Sequence, residues 1–432
     1  MNSSLKFRFC IMMFLQFFIW GVWYVPMWNF LGREGFEGAG DWTKWGFLTP
    51  IGLAYASTGI AAMISPFIVG MIADRFFPTQ IVFGVLHLFG ALFLYLASQS
   101  MHFNVFFPYL LLHLVCYMPT LALANSVLFQ SSNNPQEDAP PIRTLGTIGW
   151  IASGILVGGG FLVADKFTWQ VPKFLSGPAA PVGDGVVALG STTLPYTFGV
   201  IASGLLGLYA FTLPHTPPRL KGKNVSVADV LGLKALRLLK DPSFAVFIVC
   251  SLLVCIPLSF YFQSTNMFLG YCNVDNTEGV MSLGQVSEIF FLFLIPVFFR
   301  KLGIKKMLAI GMLFWVLRYL LFANATAETH FLLYAGVLFH GICYDFFFFT
   351  GQLYVDKRAP EDVRSAAQGF IAFVTLGVGM FIGGLLNGWW NLKQTTDGVL
   401  NWSAVWYFPA IMSAVVLVAF LFLFREGKTE EN

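Results

Sequence analysis

The chain reads as long apolar runs separated by short polar breaks, and the runs recur at the length a helix needs to cross roughly 30 Å of hydrocarbon. Twelve can be drawn, at roughly 8–30, 49–73, 80–98, 103–128, 143–164, 195–213, 243–268, 280–299, 306–324, 331–354, 365–388 and 403–424. An even count predicts both chain ends on one side. The Lys and Arg residues say which side. Clusters such as Arg219, Lys221 and Lys223, or Arg300, Lys301, Lys305 and Lys306, fall on the side of the termini, while the other collects Arg33, Lys44, Lys166, Lys173 and Lys393. That bias predicts cytoplasmic termini. The longest cytoplasmic break, 215–241, carries Pro217 and Pro218 and separates two sets of six runs, 1–214 and 242–432. A weak repeat supports the division: Arg143 opens the fifth run and Arg364 the eleventh. Each is followed by small residues at a spacing of four, Gly154 with Gly158 and Gly379 with Gly383, which let helices approach closely. The expected fold is therefore an all-α membrane protein of twelve transmembrane helices in two six-helix bundles, as in a rocking transporter with a central site. The outward breaks 31–45 and 164–194 are Gly-rich and without apolar period, and read as solvated connections.

Composition agrees with a membrane chain: 57% hydrophobic and 11% charged over 432 residues, well outside the soluble range. A net charge of +3 is too small to suggest a nucleic-acid partner. Six cysteines at unrelated spacings read as small core residues, implying neither a metal site nor a disulfide framework. Lys6 and Arg8 precede the first run as in a signal peptide, but Trp20, Trp23 and Tyr24 occupy the place of a small-residue cleavage site, so a retained first helix is expected.

Within these runs the ionisable and amide side chains stand out, because an unpaired carboxylate in hydrocarbon is expensive. Gln285 and Glu288 are three apart in the eighth run and share a helix face; the structural alternative is a Glu neutralised by a neighbouring helix. Gln263 and Asn266 do the same in the seventh, where amides either recognise a ring that offers donors and acceptors or glue packed helices together. In the tenth, His340 and Tyr344 are four apart with Asp345 beside them. A second acid in that half makes a proton-handling pair with Glu288, the alternative being an Asp held for structure. In the fifth, Pro140 and Pro141 suit a helix start, after which Arg143, Thr147 and Trp150 fall on one face. Arg143 either meets a substrate or anchors the cytoplasmic end; Trp150 offers a stacking surface for a planar base or a platform for a sugar ring. Gln16, His87, His113, Asn125 and Arg318 are single intruders and read as packing residues. With no P-loop, zinc spacing or nucleophile elbow, ATP-driven pumping and metal hydrolysis lack support, and neither an enzyme nor a cofactor is expected.

Six ordered motifs carry a resemblance. Ala139-Pro140-Pro141-Ile142-Arg143 with Gly146-Thr147-Ile148-Gly149, then Gln263-Ser264-Thr265-Asn266-Met267-Phe268, Gln285-Val286-Ser287-Glu288, Tyr344-Asp345-Phe346-Phe347 and Arg364-Ser365-Ala366-Ala367-Gln368-Gly369 resemble the nucleoside:proton symporters of the major facilitator superfamily, the bacterial nucleoside permeases. The likeness spans roughly residues 12 to 424. It implies a carrier of the bacterial inner membrane that takes up purine and pyrimidine nucleosides with a proton and works as a monomer. Substrate contacts would fall on Arg143, Thr147, Trp150, Gln263, Asn266, Gln285, Glu288, Tyr344 and Asp345, with Asp345 the first choice for the coupled proton and Glu288 the second. This chain departs from the family pattern at Trp150, where the pattern has Phe, at His340, where it has Tyr, and in the longer break at 164–194. A sugar symporter of the same fold and a non-transporting nucleoside sensor are the rival readings.

Overall fold

The computed structural model describes residues 1–33, 47–170, 185–218, 233–360 and 363–425. Four of the described helices begin where a side chain takes up a free backbone N–H group. Asn2 accepts from Leu5 N at 2.8 Å ahead of α1 (Ser3–Tyr24), and Thr49 does so ahead of α3 (Pro50–Arg75), with α2 (Met27–Leu31) between them. Pro50 and Pro242 stand at first helical positions, where a missing N–H costs nothing. There follow α4 (Thr79–Ser98), α5 (Phe103–Gln130), α6 (Pro135–Gly158), α7 (Leu194–Ala210), α8 (Pro242–Tyr271) and α9 (Thr277–Ala323). Among the described residues, nine helical stretches are long and apolar enough to cross a membrane.

Two stretches depart from simple helices. At 47 residues, α9 is about 70 Å long by its rise, more than twice the hydrocarbon thickness. Its backbone breaks at Gly303, where φ is 69°, a conformation that suits glycine. The tenth run is divided into α10 (His330–Leu338), α11 (His340–Tyr344), a π-helical turn at Asp345–Phe349 and α12 (Thr350–Arg358). The eleventh has a second π segment, Phe373–Gly379, between α13 (Arg364–Ala372) and α14 (Met380–Lys393), and α15 (Trp402–Leu423) ends the chain's helices. Such π turns interrupt the regular ladder and recur at functional sites.

The fifth run is corrected at both ends. Its helix starts at Pro135, so that Pro140 and Pro141 lie inside the second turn, and it stops at Gly158 instead of near 164. Three consecutive glycines end it, and Phe161-Leu162-Val163 then pair as a strand. β1 (Gly160–Val163) and β2 (Lys166–Trp169) form a hairpin whose turn residues, Ala164 and Asp165, have φ of 47° and 62°, the left-handed pair of a tight hairpin turn. β3 (Val186–Ala188) joins the other edge of β1. The break 164–194 thus carries a small antiparallel sheet, with 171–184 outside the described residues, as is 34–46 of the other outward break.

Among the described residues, buried apolar side chains fall into two main cores, one drawn almost wholly from α1–α7 and the other from α8–α15, with a small third cluster of Ile295, Met307 and Phe346. The two sets meet along α6 with α9 and α3 with α14. Where they meet, Gly154 faces Ser282 and the carbonyl of Glu278, and Gly158 faces the backbone of Gly279. Gly379 and Gly383 instead let α14 lie against Cys255 and Ile256 of α8. At the face bearing the termini, Met1 and Lys6 bind Asp138 at 3.3 and 2.7 Å, and Ser243 donates to the carbonyl of Arg425.

Candidate functional site

Between the two sets lies a cavity of about 240 Å³, room for on the order of ten waters. One device builds its wall. Almost every helix that reaches it contributes residues three or four apart, which fall on one stripe: Phe17, Trp20 and Tyr24 from α1, Leu121 and Asn125 from α5, Thr147 and Trp150 from α6, Leu258 and Phe262 from α8, Gln285 and Glu288 from α9, His340 and Tyr344 from α11. Thr58 of α3 adds a hydroxyl, and Leu376 with Met380 completes the wall.

The wall has two kinds of surface. Trp150 meets Trp20 edge-on at 5.6 Å and, across the gap, Phe262 at 6.1 Å. Opposite, Tyr261, His340 and Tyr344 form a stack with ring centroids 5.1 and 5.4 Å apart. Glu288 is approached from both sets: Nε2 of His340 is 3.9 Å from its Oε2, and the Thr147 side chain reaches it from α6. Among the described residues, Oε1 of Gln285, Nδ1 of His340 and Nε1 of Trp20 find no hydrogen-bond partner. Each such buried group costs about 1–3 kcal/mol while unmet. A guest that is polar at its edges and flat at its faces answers both surfaces.

Of the nine sequence-derived positions, Thr147, Trp150, Gln285, Glu288 and Tyr344 are on this wall. Four are not. Arg143 is solvent-accessible one turn nearer the termini, within electrostatic reach of Tyr344. Gln263 is fully buried beside Phe262, and neither of its amide atoms has a partner among the described residues. Asn266 lies at the far end, where its Oδ1 accepts from Asn29 Nδ2 at 2.6 Å. Asp345, 3% exposed, opens the π turn behind Tyr344, close enough to Glu288 for the two acids to interact.

Some wall residues escaped the sequence. Asn125 read as packing, yet it lines the cavity with its Oδ1 unpartnered among the described residues. The Phe17–Trp20–Tyr24 stripe carries helical spacing, which was its only signal, and core aromatics give the same one. The packing reading does describe Gln16 and His87: Gln16 binds Thr120 at 2.8 Å and His87 at 2.9 Å, inside α1–α7. Ser264 likewise joins α8 to Asn387 of α14 at 3.1 Å.

The profile of the family described as "Nucleoside H+ symporter" matches residues 1–171 and 178–429. The chain belongs to the nucleoside H+ symporter family. It is 41% identical to "Putative nucleoside transporter YegT" of Escherichia coli (strain K12), over 100% of this chain and 96% of that protein. It is 30% identical to "Nucleoside permease NupG" of the same strain, over 98% and 96%. The crystal structure of nucleoside transporter NupG superposes with a TM-score of 0.80 at 29% identity, covering 99% of this chain and 100% of that one. This nucleoside symporter is thus an all-α membrane protein with the NupG fold, a proton-coupled transporter and not an enzyme. Its apolar helices and bacterial relatives support an inner-membrane location.

In this symporter the end of the molecule away from the termini is sealed. The Asn29–Asn266 bridge, the Gly154–Gly158 seam and the buried Glu278 close it, and Asn29, Gly158 and Glu278 also line a second cavity of about 250 Å³ under the β1–β3 sheet. Toward the termini the sets part. Phe67 still meets Phe373 at 5.9 Å, but an added side-chain atom at Gly70, one turn on, would have nothing within 4 Å.

Proposed function

We propose that this protein imports nucleosides together with protons by alternating access, through a twelve-span carrier of two six-helix bundles, 1–214 and 242–432, joined by the cytoplasmic linker 215–241. Twelve passes are supported by the nine long apolar stretches among the described residues, with a second crossing by α9 after Gly303, the less apolar α6 and the shorter α7. The Lys and Arg bias puts both termini in the cytoplasm, so the arrangement described is closed to the outside and open inward. Each bundle has its own core, and a monomer contains the whole path.

The observation that carries the reading is the central wall itself: unmatched polar atoms and open aromatic faces around one carboxylate, drawn from both bundles. A nucleoside base lies against Trp150 and Tyr344, while Gln285, Glu288 and Thr147 hydrogen-bond its edges and ribose. Gln263 and Asn266 come into contact as the bundles rock, and Arg143 guards the inner mouth. Glu288 and Asp345 share the coupled proton: like charges this close in an apolar span repel strongly, and Glu288 reaches the substrate while Asp345 stands behind it. Substrate and proton thereby bias the same two-state equilibrium.

The test is proton-driven uptake in vesicles containing only this protein, across a panel of purine and pyrimidine nucleosides, with and without an uncoupler. Saturable uridine or adenosine accumulation that collapses with the uncoupler is expected. Competition by sugars but not nucleosides would move the reading to a sugar symporter, and binding without counterflow would make the protein a sensor.

A further inference from the structure

Arg318 is completely buried in α9, away from both cavities. Among the described residues no carboxylate lies within ion-pair distance of it. A cation placed so is costly, and space-filling alone would be better served by Leu or Met. On its own helix it lies 5.0 Å from the centre of the Trp315 ring and bonds the Tyr319 side chain, and two further contacts come from neighbouring helices. Its Nε donates to the carbonyl of Gly336 at 2.9 Å, four residues before His340, and its guanidinium lies 4.1 Å from the centre of the Tyr261 ring. Tyr261 is the ring on which His340 stacks, at 5.1 Å and 21°. Both contacts therefore converge on one side chain of the cavity wall.

The backbone on the other side of His340 is fixed as well. Ser287 donates to the carbonyl of Leu338 at 2.6 Å and accepts from Gly341 N at 2.9 Å, so that the break between α10 and α11 is pinned from α9 at two points. His340 in turn holds Nε2 toward Glu288 and packs on Tyr344. We propose that Arg318 is a positioning residue for substrate recognition, acting through Gly336 and Tyr261 to set the His340 ring against Glu288 and the bound nucleoside. A fixed cation over the Tyr261 face attracts that ring and holds it, and the Gly336 contact sets the height of α11. This inference rests on the central cavity being the nucleoside site.

The experiment measures nucleoside affinity of the purified transporter by calorimetry for wild type, Arg318→Met, Arg318→Lys, His340→Ala and the two double variants, with thermal melting and gel filtration to verify folding. Arg318→Met is expected to weaken binding about tenfold and Arg318→Lys, which keeps a cation near the ring without the planar fork, about threefold. In the His340→Ala background neither change should weaken binding further. Folded Arg318→Met that binds within twofold of wild type, or losses that add fully to those of His340→Ala, would overturn the proposal. Should Arg318→Met not fold, the Arg318→Lys cycle decides by the same two criteria. A wild type that binds no nucleoside at all would instead remove the functional reading, which separates the two failures.

Discussion

On the proposed orientation, the α6–α9 seam away from the termini should be wedged open by a single methyl group. At Gly158 an added Cβ would stand 2.6 Å from the backbone nitrogen of Gly279 and 3.2 Å from its Cα, against 3.4–4 Å for ordinary contact. The obstacle is main chain, so no rotamer change relieves it, and α6 and α9 must part by roughly 0.8 Å at that end. Overpacking of this kind costs about 1–3 kcal/mol. The cost falls only on the outwardly closed state, because the open state separates these two backbones. Gly158→Ala should thus shift the equilibrium toward outward opening by about 5- to 150-fold. The assay is labelling of Ser282→Cys, which is 3% exposed and lies in the same seam, by a membrane-impermeant maleimide applied from outside. A rate at least about fivefold higher in the Gly158→Ala background is expected. Gly204→Ala, whose added atom meets nothing within 4 Å, is the control and should leave the rate unchanged. Equal labelling in all three backgrounds, with the proteins folded, would mean that the α6–α9 seam is not the closed gate.

Other outcomes follow from the cavity and the inner face. Glu288→Gln and Asp345→Asn should each abolish uphill accumulation while leaving nucleoside exchange measurable by counterflow; uncoupler-sensitive accumulation at the wild-type rate in either would remove that acid from proton coupling. Trp150→Ala removes the ring that meets Trp20 and Phe262 and should weaken nucleoside binding about tenfold, read by calorimetry. At the inner face, partial burial raises the Asp241 carboxyl, but the Arg358 guanidinium 2.5 Å away and the N–H of Ser243 outweigh it and hold the group below its ordinary range. A depressed value contributes stability above the ordinary carboxylate range that is lost as pH falls through the folded value. Asp241→Asn should therefore lower stability at pH 7 by no more than about 1 kcal/mol for so exposed a pair, read as a lower melting temperature, and the difference should shrink below about pH 4.

What the sequence made legible depended on how a residue's type contrasts with its surroundings. Gln285 and Glu288 were readable because nothing apolar explains two polar side chains three apart in a membrane run, and both are on the wall. Phe17, Trp20 and Tyr24 are equally on it, but an aromatic residue packs as well in a core as around a guest, so helical spacing alone does not separate the two. For Asn266 the sequence shows a helix face, which the 3.6-residue period fixes, but not a depth, which depends on how the two sets lean; in this arrangement it lies against Asn29. The α6 boundary was misplaced because Phe161, Leu162 and Val163 extend the apolar run, and hydropathy does not distinguish a short strand from one more helical turn. Arg318 was set aside for lacking a polar partner on its own face; Trp315 is three residues back on that face, but the contacts that tie Arg318 to His340 come from α8 and α10, which no spacing within one helix could report.

The division of chemistry around the cavity bears on how transport is coupled. The first bundle supplies mainly rings, through Phe17, Trp20, Tyr24 and Trp150, while the second supplies Gln285, Glu288, His340 and Tyr344. A guest that used only one surface would ride with one bundle and leave the equilibrium between closed states unchanged, since a ligand shifts two states only by the difference in its affinity for them. On the proposed reading a nucleoside touches both, its base between Trp150 of one set and Tyr344 of the other, so its binding is strongest when the two sets are close together around it. Thr147 is the exception that ties the two surfaces, a hydroxyl of the ring-bearing bundle directed at the Glu288 carboxylate of the other. Whatever changes the charge on Glu288 therefore also changes a contact between the bundles, which gives the proton and the nucleoside a common point of action without any longer path between them.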